Sequence, residues 1–265
     1  MTVAAYISRS MNRAGKRCRE LMFRPYVTPK TIEGVDFQFY VGSLVGRNWY
    51  DAEHCGNQWP EMRLVRDLLV SPGDRVIEAG AHHGCTTMLL ANWVGEGGAV
   101  LALEPALENI VICRRNIALN KLTNVEAVQA AVGDNNCQSA FQHMCIRPGS
   151  DNRAAETVSV RRLDDWIDWA PTLLKLDVQG YEVKALRGAE QILATRPKLL
   201  IEVHCNCIPG YGDRVEDLFD LIDWNAYAAT ALYPGADRPV PFTPDATAWK
   251  AHKQFHLFAT PNAQG

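Results

Sequence analysis

Asp74-Arg75-Val76-Ile77-Glu78-Ala79-Gly80-Ala81-His82-His83-Gly84 is the stretch from which the rest of the chain can be read. Ser71-Pro72-Gly73 interrupts whatever precedes it, because proline and glycine break regular structure. Val76-Ile77 is a buried-strand run that ends on a carboxylate, Glu78. A glycine turn follows from Gly80 to Gly84, and then an apolar helical segment, Thr86-Thr87-Met88-Leu89-Leu90-Ala91-Asn92-Trp93. Strand, glycine turn and helix in this order form the opening unit of a nucleotide-binding α/β sheet. One glycine allows the sharp turn; the other lets backbone N–H groups approach a ligand closely.

Two details narrow the ligand. A dinucleotide fold wants G-x-G-x-x-G, its second glycine against a pyrophosphate. Here the spacing is Gly80-x-x-x-Gly84, and His82 stands two after Gly80. Glu78, two before Gly80, would repel a pyrophosphate but suits a cation such as the sulfonium and α-amino group of S-adenosylmethionine. A second strand, Val100-Leu101-Ala102-Leu103, ends at Glu104-Pro105, where an acid can accept the ribose hydroxyls. The competing reading, a packing turn in another α/β enzyme, leaves two acids at successive strand ends unexplained.

Length and composition set the bounds. The chain has 265 residues, enough for one α/β domain with additions. A net charge of −3 gives no global pull toward nucleic acid or an acidic membrane. No apolar run approaches the ~20 residues a bilayer demands, and the N-terminus lacks the apolar core of a secretory signal. Eight scattered cysteines read as reduced thiols in a cytoplasmic protein. His204-Cys205-Asn206-Cys207 lacks a paired C-x-x-C framework, so structural zinc is not expected.

Along the chain, residues 1–24 place Ile7, Met11, Ala14, Cys18 and Leu21 at helical spacing among arginines and lysines. This basic amphipathic helix offers a face for packing on the domain or on a second copy of the chain, as a homodimer; a membrane surface or an anionic substrate is the other reading. Residues 31–45 alternate as a hairpin, and residues 1–58 are read as an extension ahead of the main domain, 59–265. Trp49-Tyr50-Asp51 begins a loop or helix over the ligand mouth, and Glu61 to Val70 is an amphipathic helix. After the second strand come a helix from Leu107 to Leu119 and a third strand from Val125 to Val132. Residues 137–162, with a turn at Pro148 to Asn152, read as a β excursion over the site. Thr172 to Asp177 is a fourth strand, followed by a helix carrying Val183, Leu186, Ala189, Ile192 and Leu193. Lys198 to His204 is a fifth strand, Arg214 to Ile222 a helix, and two strands at 226–232 and 254–259 end the domain. The expected fold is a doubly wound, mostly parallel α/β sheet with an antiparallel last strand.

Ligands of open α/β sheets bind at the carboxyl ends of the strands. Glu78, Glu104, Asp177, Glu202, His204 and Asn206 gather there. Methyl transfer needs an aligned acceptor and, for a hydroxyl, removal of its proton. Asp177, Glu202 and His204 are the candidate catalytic residues. A neutral His204 is the best-matched base at pH 7, near its reference pKa of ~6.5. Asp177 could instead orient the acceptor, hold the donor's amino group or bind a divalent metal with Glu202 or His204; a metal is not favoured. A strand-end imidazole and a salt-bridged glutamate would explain His204 and Glu202 without chemistry.

Several motifs occur in order: Glu78-Ala79-Gly80-Ala81-His82-His83-Gly84, Glu104-Pro105, Leu163-Asp164-Asp165, Lys175-Leu176-Asp177-Val178-Gln179-Gly180-Tyr181-Glu182 and Glu202-Val203-His204. Together, over roughly residues 60–260, they resemble the FkbM family of S-adenosylmethionine-dependent methyltransferases. The resemblance implies a seven-stranded, Rossmann-like class I methyltransferase fold and, most often, O-methylation of sugars or natural products. It implies cofactor binding by Glu78, Gly80, Ala81, His82, Gly84, Glu104, Ala131 and Asp177. The family usually has Asp where Glu78 stands, Asn where His82 stands and Glu where Gln179 stands. Many class I methyltransferases end strand three on an acid that contacts adenine. Ala130-Ala131 takes that place here, leaving the adenine amine to backbone or to Asp134.

Three functions compete: methyl transfer to a hydroxyl of a sugar, glycan precursor or other small molecule, with a carboxyl, nitrogen or carbon acceptor as its variant; a nicotinamide dehydrogenase, opposed by His82; and a non-catalytic donor-binding protein, opposed by the acids of strands four and five. The acceptor pocket is expected to draw on 1–60, 137–160 and 205–250. Trp49, Tyr50, Tyr181, Tyr211 and Trp249 could stack on a ring or simply pack.

Overall fold

A computed structural model of the chain describes residues 22–51, 59–142, 145–147 and 156–262. The expected basic helix, with its proposed dimer face, lies outside these residues up to position 21, as does the turn at 148–152.

The centre of the molecule is an eight-stranded sheet. In chain order the strands of the fold are β1 (Tyr26–Ile32), β2 (Val35–Val41), β3 (Arg75–Ala79), β4 (Ala99–Leu103), β5 (Val125–Val128), β6 (Ala131–Val132), β7 (Cys137–Gln142), β8 (Cys145–Arg147), β9 (Glu156–Arg161), β10 (Leu173–Leu176), β11 (Lys198–Val203), β12 (Tyr227–Leu232), β13 (Val240–Pro241) and β14 (Phe255–Pro261). The central order is β13-β12-β14-β11-β10-β3-β4-β5. β5, β4, β3, β10 and β11 run parallel, and β14 enters antiparallel between β11 and β12. The seven expected strands are all present; β13 is a two-residue addition at the edge.

Strands buried on both faces read as continuous apolar runs. Val76-Ile77, Val100-Leu101, Leu173-Leu174 and Leu199-Leu200 fit that rule and are essentially inaccessible. Helix α1 (Pro60–Leu64) runs on as a wider π-type turn over Val65–Leu69, and with α2 (Cys85–Val94) it covers one face. On the other face α4 (Glu182–Arg187), α5 (Glu190–Ala194) and α6 (Val215–Phe219) pack with Ile77, Leu101, Leu174 and Ile201. The single helix expected across Val183 to Leu193 breaks at Gly188. A Cβ there would come within 2.0 Å of the Gly133 carbonyl oxygen, so the chain turns to let two backbones touch.

The β1–β2 hairpin starts earlier than expected and docks against α3 (Leu107–Leu119). Asn116 and Asn120, one helical turn apart, meet the backbone of β2. Tyr40 N–H donates to Asn116 Oδ1 (2.6 Å) and Gln38 N–H to Asn120 Oδ1 (2.8 Å). Two side-chain amides thereby satisfy an open strand edge. The third strand stops at Val128; Ala131–Val132 leaves to join β9, β7 and β8 in a four-stranded sheet, the anticipated β excursion. Among the described residues, no helix is long and apolar enough to cross a membrane.

Candidate active site

A cavity of about 550 Å³ opens at the carboxyl ends of β3, β4 and β10, between the sheet, α1 and the four-stranded sheet. That volume lies within the usual range for small-molecule sites, about 300–1,000 Å³.

One end is built from the glycine turn. Gly80 has φ +91°, and a Cβ on it would sit 1.9 Å from the Asp177 carbonyl oxygen. Only glycine lets β3 and β10 close together there. Ala81 and His82 line the wall beside it. His82 has φ +51°, a left-handed conformation that costs a bulky residue energy. Its N–H donates to Glu104 Oε2 (2.9 Å), its Nδ1 meets the Tyr50 hydroxyl (2.7 Å), and its ring stacks on His83 at 4.1 Å. Burial holds His82 neutral, with a pKa of about 3. Glu104 lines the cavity and also accepts from Ala106 N–H (3.0 Å) and Asn109 Nδ2 (3.2 Å). Burial raises its pKa against those bonds. Ala130, Ala131 and Val132 continue the wall, with Phe141 and Ile146 from the four-stranded sheet.

Two expected contacts, and one of the two alternatives left open for the adenine amine, lie off the wall. Glu78 is fully buried but is not on the wall: it accepts from Thr87 Oγ1 (2.6 Å) and pairs with Lys175 Nζ (3.3 Å). Gly84 is not on the wall either. It starts α2 at φ +84°, and a Cβ would meet Cys113 Sγ at 2.8 Å, so it serves the packing of α2 on α3. Asp134 is also off the wall, 3.7 Å from Lys184 Nζ.

The other end is a row of charges. Glu78 pairs in register with Lys175, and Glu202 with His256. The alternation of side chains puts these four residues on one face of β3, β10, β11 and β14. Glu61 reaches down from α1, 3.2 Å from His256 Nε2; Glu202 Oε2 lies 3.5 Å from the same atom. Gln254 Nε2 donates to Glu202 Oε1 (2.6 Å). Burial works to raise Glu202, but the bond to His256 and the charges of His256, His204 and Lys175 bring it down to about 2.

Asp177, Glu202 and His204 do come together, as expected. His204 Nε2 lies 3.6 Å from Glu202 Oε1 and 3.9 Å from Asp177 Oδ1. His204 has carboxylates at both ring nitrogens. Its Nδ1–H donates to Glu182 Oε1 at 2.7 Å. Burial would lower its pKa, but Glu182, Glu202 and Asp177 raise it to about 9. The shift favours the imidazolium at pH 7, and His204 does not line the cavity. Asp177 does line the cavity. Burial first, then the charge of Glu202, raises it to about 6 against Lys175, His204 and the hydrogen bond from Gln179 Nε2 (3.2 Å).

Sequence reading missed Lys175, Glu61, Gln254 and His256 as wall residues. Lys175 carried a signal, a charge inside the buried run Leu173-Leu174-Lys175-Leu176. Of the ring candidates, Trp49, Tyr50 and Tyr181 line the cavity, Tyr211 packs edge-on against Tyr181 at 5.0 Å, and Trp249 is in the core.

The methyltransferase FkbM domain model matches residues 78–222, from Glu78 across the glycine turn and the ends of β4, β10 and β11. The chain belongs to the FkbM methyltransferase family. It is 26% identical over 155 residues to a protein named Methyltransferase 1 of Beauveria bassiana (strain ARSEF 2860), covering 47% of this chain and 62% of that relative. The chain thus spans less than two thirds of that relative. A crystal structure of Methyltransferase FkbM from Methylobacillus flagellatus KT superposes with a TM-score of 0.45 at 22% identity, covering 76% of this chain and 50% of that one. A SAM-dependent O-methyltransferase from Thermotoga maritima superposes with a TM-score of 0.44 at 15% identity, covering 90% and 78%.

Proposed function

We propose that the chain is an S-adenosylmethionine-dependent methyltransferase that methylates a hydroxyl of a small acceptor, a sugar, glycan precursor or natural product. One observation carries this reading: Gly80 packed against the Asp177 carbonyl, the Glu104 carboxylate and the Asp177 carboxylate all meet in one cavity.

The wall fits the donor. Gly80 lets β3 and β10 close on each other at the wall, where any Cβ would strike the Asp177 carbonyl oxygen. Glu104, anchored by two N–H groups and an amide, keeps carboxylate lone pairs for ribose hydroxyls. Ala131, Phe141 and Ile146 form an apolar cluster with Tyr181, suited to a flat adenine. Asp177 supplies negative charge near a cationic centre. When bound, S-adenosylmethionine supplies an electrophilic methyl group on a sulfonium that departs as a neutral thioether.

The remaining chemistry belongs to the chain. Asp177, at about 6, is mostly ionised at pH 7 and can take the acceptor's proton; His204, at about 9, cannot. His204 instead stays charged beside Asp177 and Glu202, fixed by Glu182. Glu61, Glu202, Gln254 and His256 offer donors and acceptors to a hydroxylated ring, with Trp59 on the same wall. Free thiols at Cys85, Cys113, Cys137, Cys205 and Cys207 suit the cytoplasmic setting that is part of this proposal.

A screen with methyl-labelled donor against sugar and phenolic acceptors tests the reading. Label on an acceptor oxygen is the expected result. Label confined to nitrogen, carboxyl or carbon acceptors would replace the hydroxyl. Binding of a pyridine nucleotide but not of the donor would replace the whole reading.

A further inference from the structure

We propose that Lys175 holds the α-carboxylate of the methyl donor; the proposal rests on the donor reading above. The donor carries one anionic group, and the cavity around it is lined with Glu61, Glu104, Asp177 and Glu202. Such a wall welcomes the sulfonium and the ammonium and repels the carboxylate, unless a cation is placed to meet it.

Lys175 is the one lysine or arginine on the wall among the described residues. The other basic groups there are committed or uncharged. His256 lies between Glu61 (3.2 Å) and Glu202 (3.5 Å), and His82 is neutral and bonded to Tyr50. Lys175 has one ion-pair partner within 4 Å among the described residues, Glu78 at 3.3 Å. That is longer than the usual charge-assisted bond of about 2.7–2.9 Å, and an ammonium has three N–H donors.

Its place in the sheet points the same way. Lys175 pairs in register with Glu78, and Leu176 with Ala79, so Lys175 lies two residues below the level of Gly80 on the neighbouring strand. The rest of β10 is leucine, with the lysine side chain 7% exposed. An ammonium is costly in such a position unless it has work that water or a leucine cannot do. Glu78, off the wall, keeps that ammonium charged and aimed.

The test needs no acceptor. S-adenosylhomocysteine and 5′-methylthioadenosine share the adenosine and the thioether, and only the first has the amino-acid end. Calorimetry on the wild-type chain should give at least tenfold tighter binding of S-adenosylhomocysteine. Lys175→Met alone would bury an unpaired Glu78, so it is combined with Glu78→Gln. The double variant should lose that preference by tenfold or more and bind 5′-methylthioadenosine within about threefold of wild type. Retention of this tighter binding overturns the proposal, as does loss of both ligands, which would not be confined to the amino-acid end. A wild-type chain that binds both ligands equally overturns it while leaving the donor reading standing; one that binds neither removes both.

Discussion

At the Gly80 end of the cavity two backbones, those of β3 and β10, close on each other; at the Glu202 end the wall is a row of charged side chains. The first end comes from consecutive residues, 79–82, and from one carboxylate, Glu104, pinned by N–H groups. The second draws Glu61 from α1, Lys175 from β10, Glu202 from β11 and His256 from β14, residues almost two hundred positions apart at the extremes. A surface made of backbone tolerates no added atom. A surface made of paired charges tolerates rearrangement but depends on its protonation states. Substitutions at the two ends should therefore fail in different ways.

The largest effect is expected at Gly80. Gly80→Ala puts a Cβ 1.9 Å from the Asp177 oxygen, at φ +91°. Either β3 and β10 separate or the chain does not fold, so S-adenosylhomocysteine affinity should fall by at least ~100-fold, about 2.7 kcal/mol. Gly73→Ala is the control, with φ +88° and nothing within 4 Å of the added Cβ. It should cost only the backbone strain, ~1 kcal/mol in chemical denaturation, and leave binding alone. Equal behaviour of the two variants would break the distinction between a close approach and a turn.

At the charged end, Asp177→Asn should lower turnover by about 100-fold or more, the scale of a lost general base. Donor affinity, read separately by calorimetry, should fall by less, about tenfold, because the variant removes a negative charge near the cationic centre but keeps the Asp177 backbone oxygen against Gly80. Wild-type turnover in this variant would move the base elsewhere in the row.

The protonation states give a third comparison. Turnover should rise with pH through about 6 as Asp177 ionises. Gln179→Glu, which sets a second carboxylate beside Asp177, should push that limb upward by like-charge repulsion. Stability has its own window. Glu202 is depressed to about 2, so its contribution is present above the unfolded value near ~4.3 and is lost as pH falls through 2. His204 is raised to about 9, so its contribution is complete below ~6.5 and is lost as pH rises through 9. Thermal melts across pH 6 to 10 should show the alkaline loss; a flat profile would contradict the imidazolium.

The same contrast explains what could be read from residues alone. The glycine turn, the apolar strands and the acid after β4 are local patterns, each set by a few neighbouring residues. Glu61 and His256 had no local mark, because their partners are chosen by β14 entering antiparallel beside β11. The charge on His204 was misread for a related reason: Glu182 reaches it from across a turn, 22 residues earlier. Glu78 and Gly84 belonged to the right motif but serve the packing behind the wall, and a motif does not say which of its side chains face a ligand.

The smallest effect is expected from metal. Ligand atoms of Asp177, Glu202 and His204 lie within 4.8 Å of one another, a spacing that a divalent ion could bridge. A metal ligand must first be deprotonated. His204 is held as an imidazolium by Glu182, and Glu202 is balanced by His204 and His256. An ion at this place would have to expel a proton from a group whose pKa is about 9. At pH 7, EDTA or millimolar Mg²⁺ should therefore change turnover by less than about twofold. Sensitivity should emerge above pH 9, where the imidazole becomes neutral and its Nε2 can coordinate. EDTA inactivation at pH 7 reversed by Mg²⁺ or Mn²⁺ would mean that the row of paired charges is a resting arrangement which an ion displaces, and the two ends of the cavity would then differ in cofactor as well as in construction.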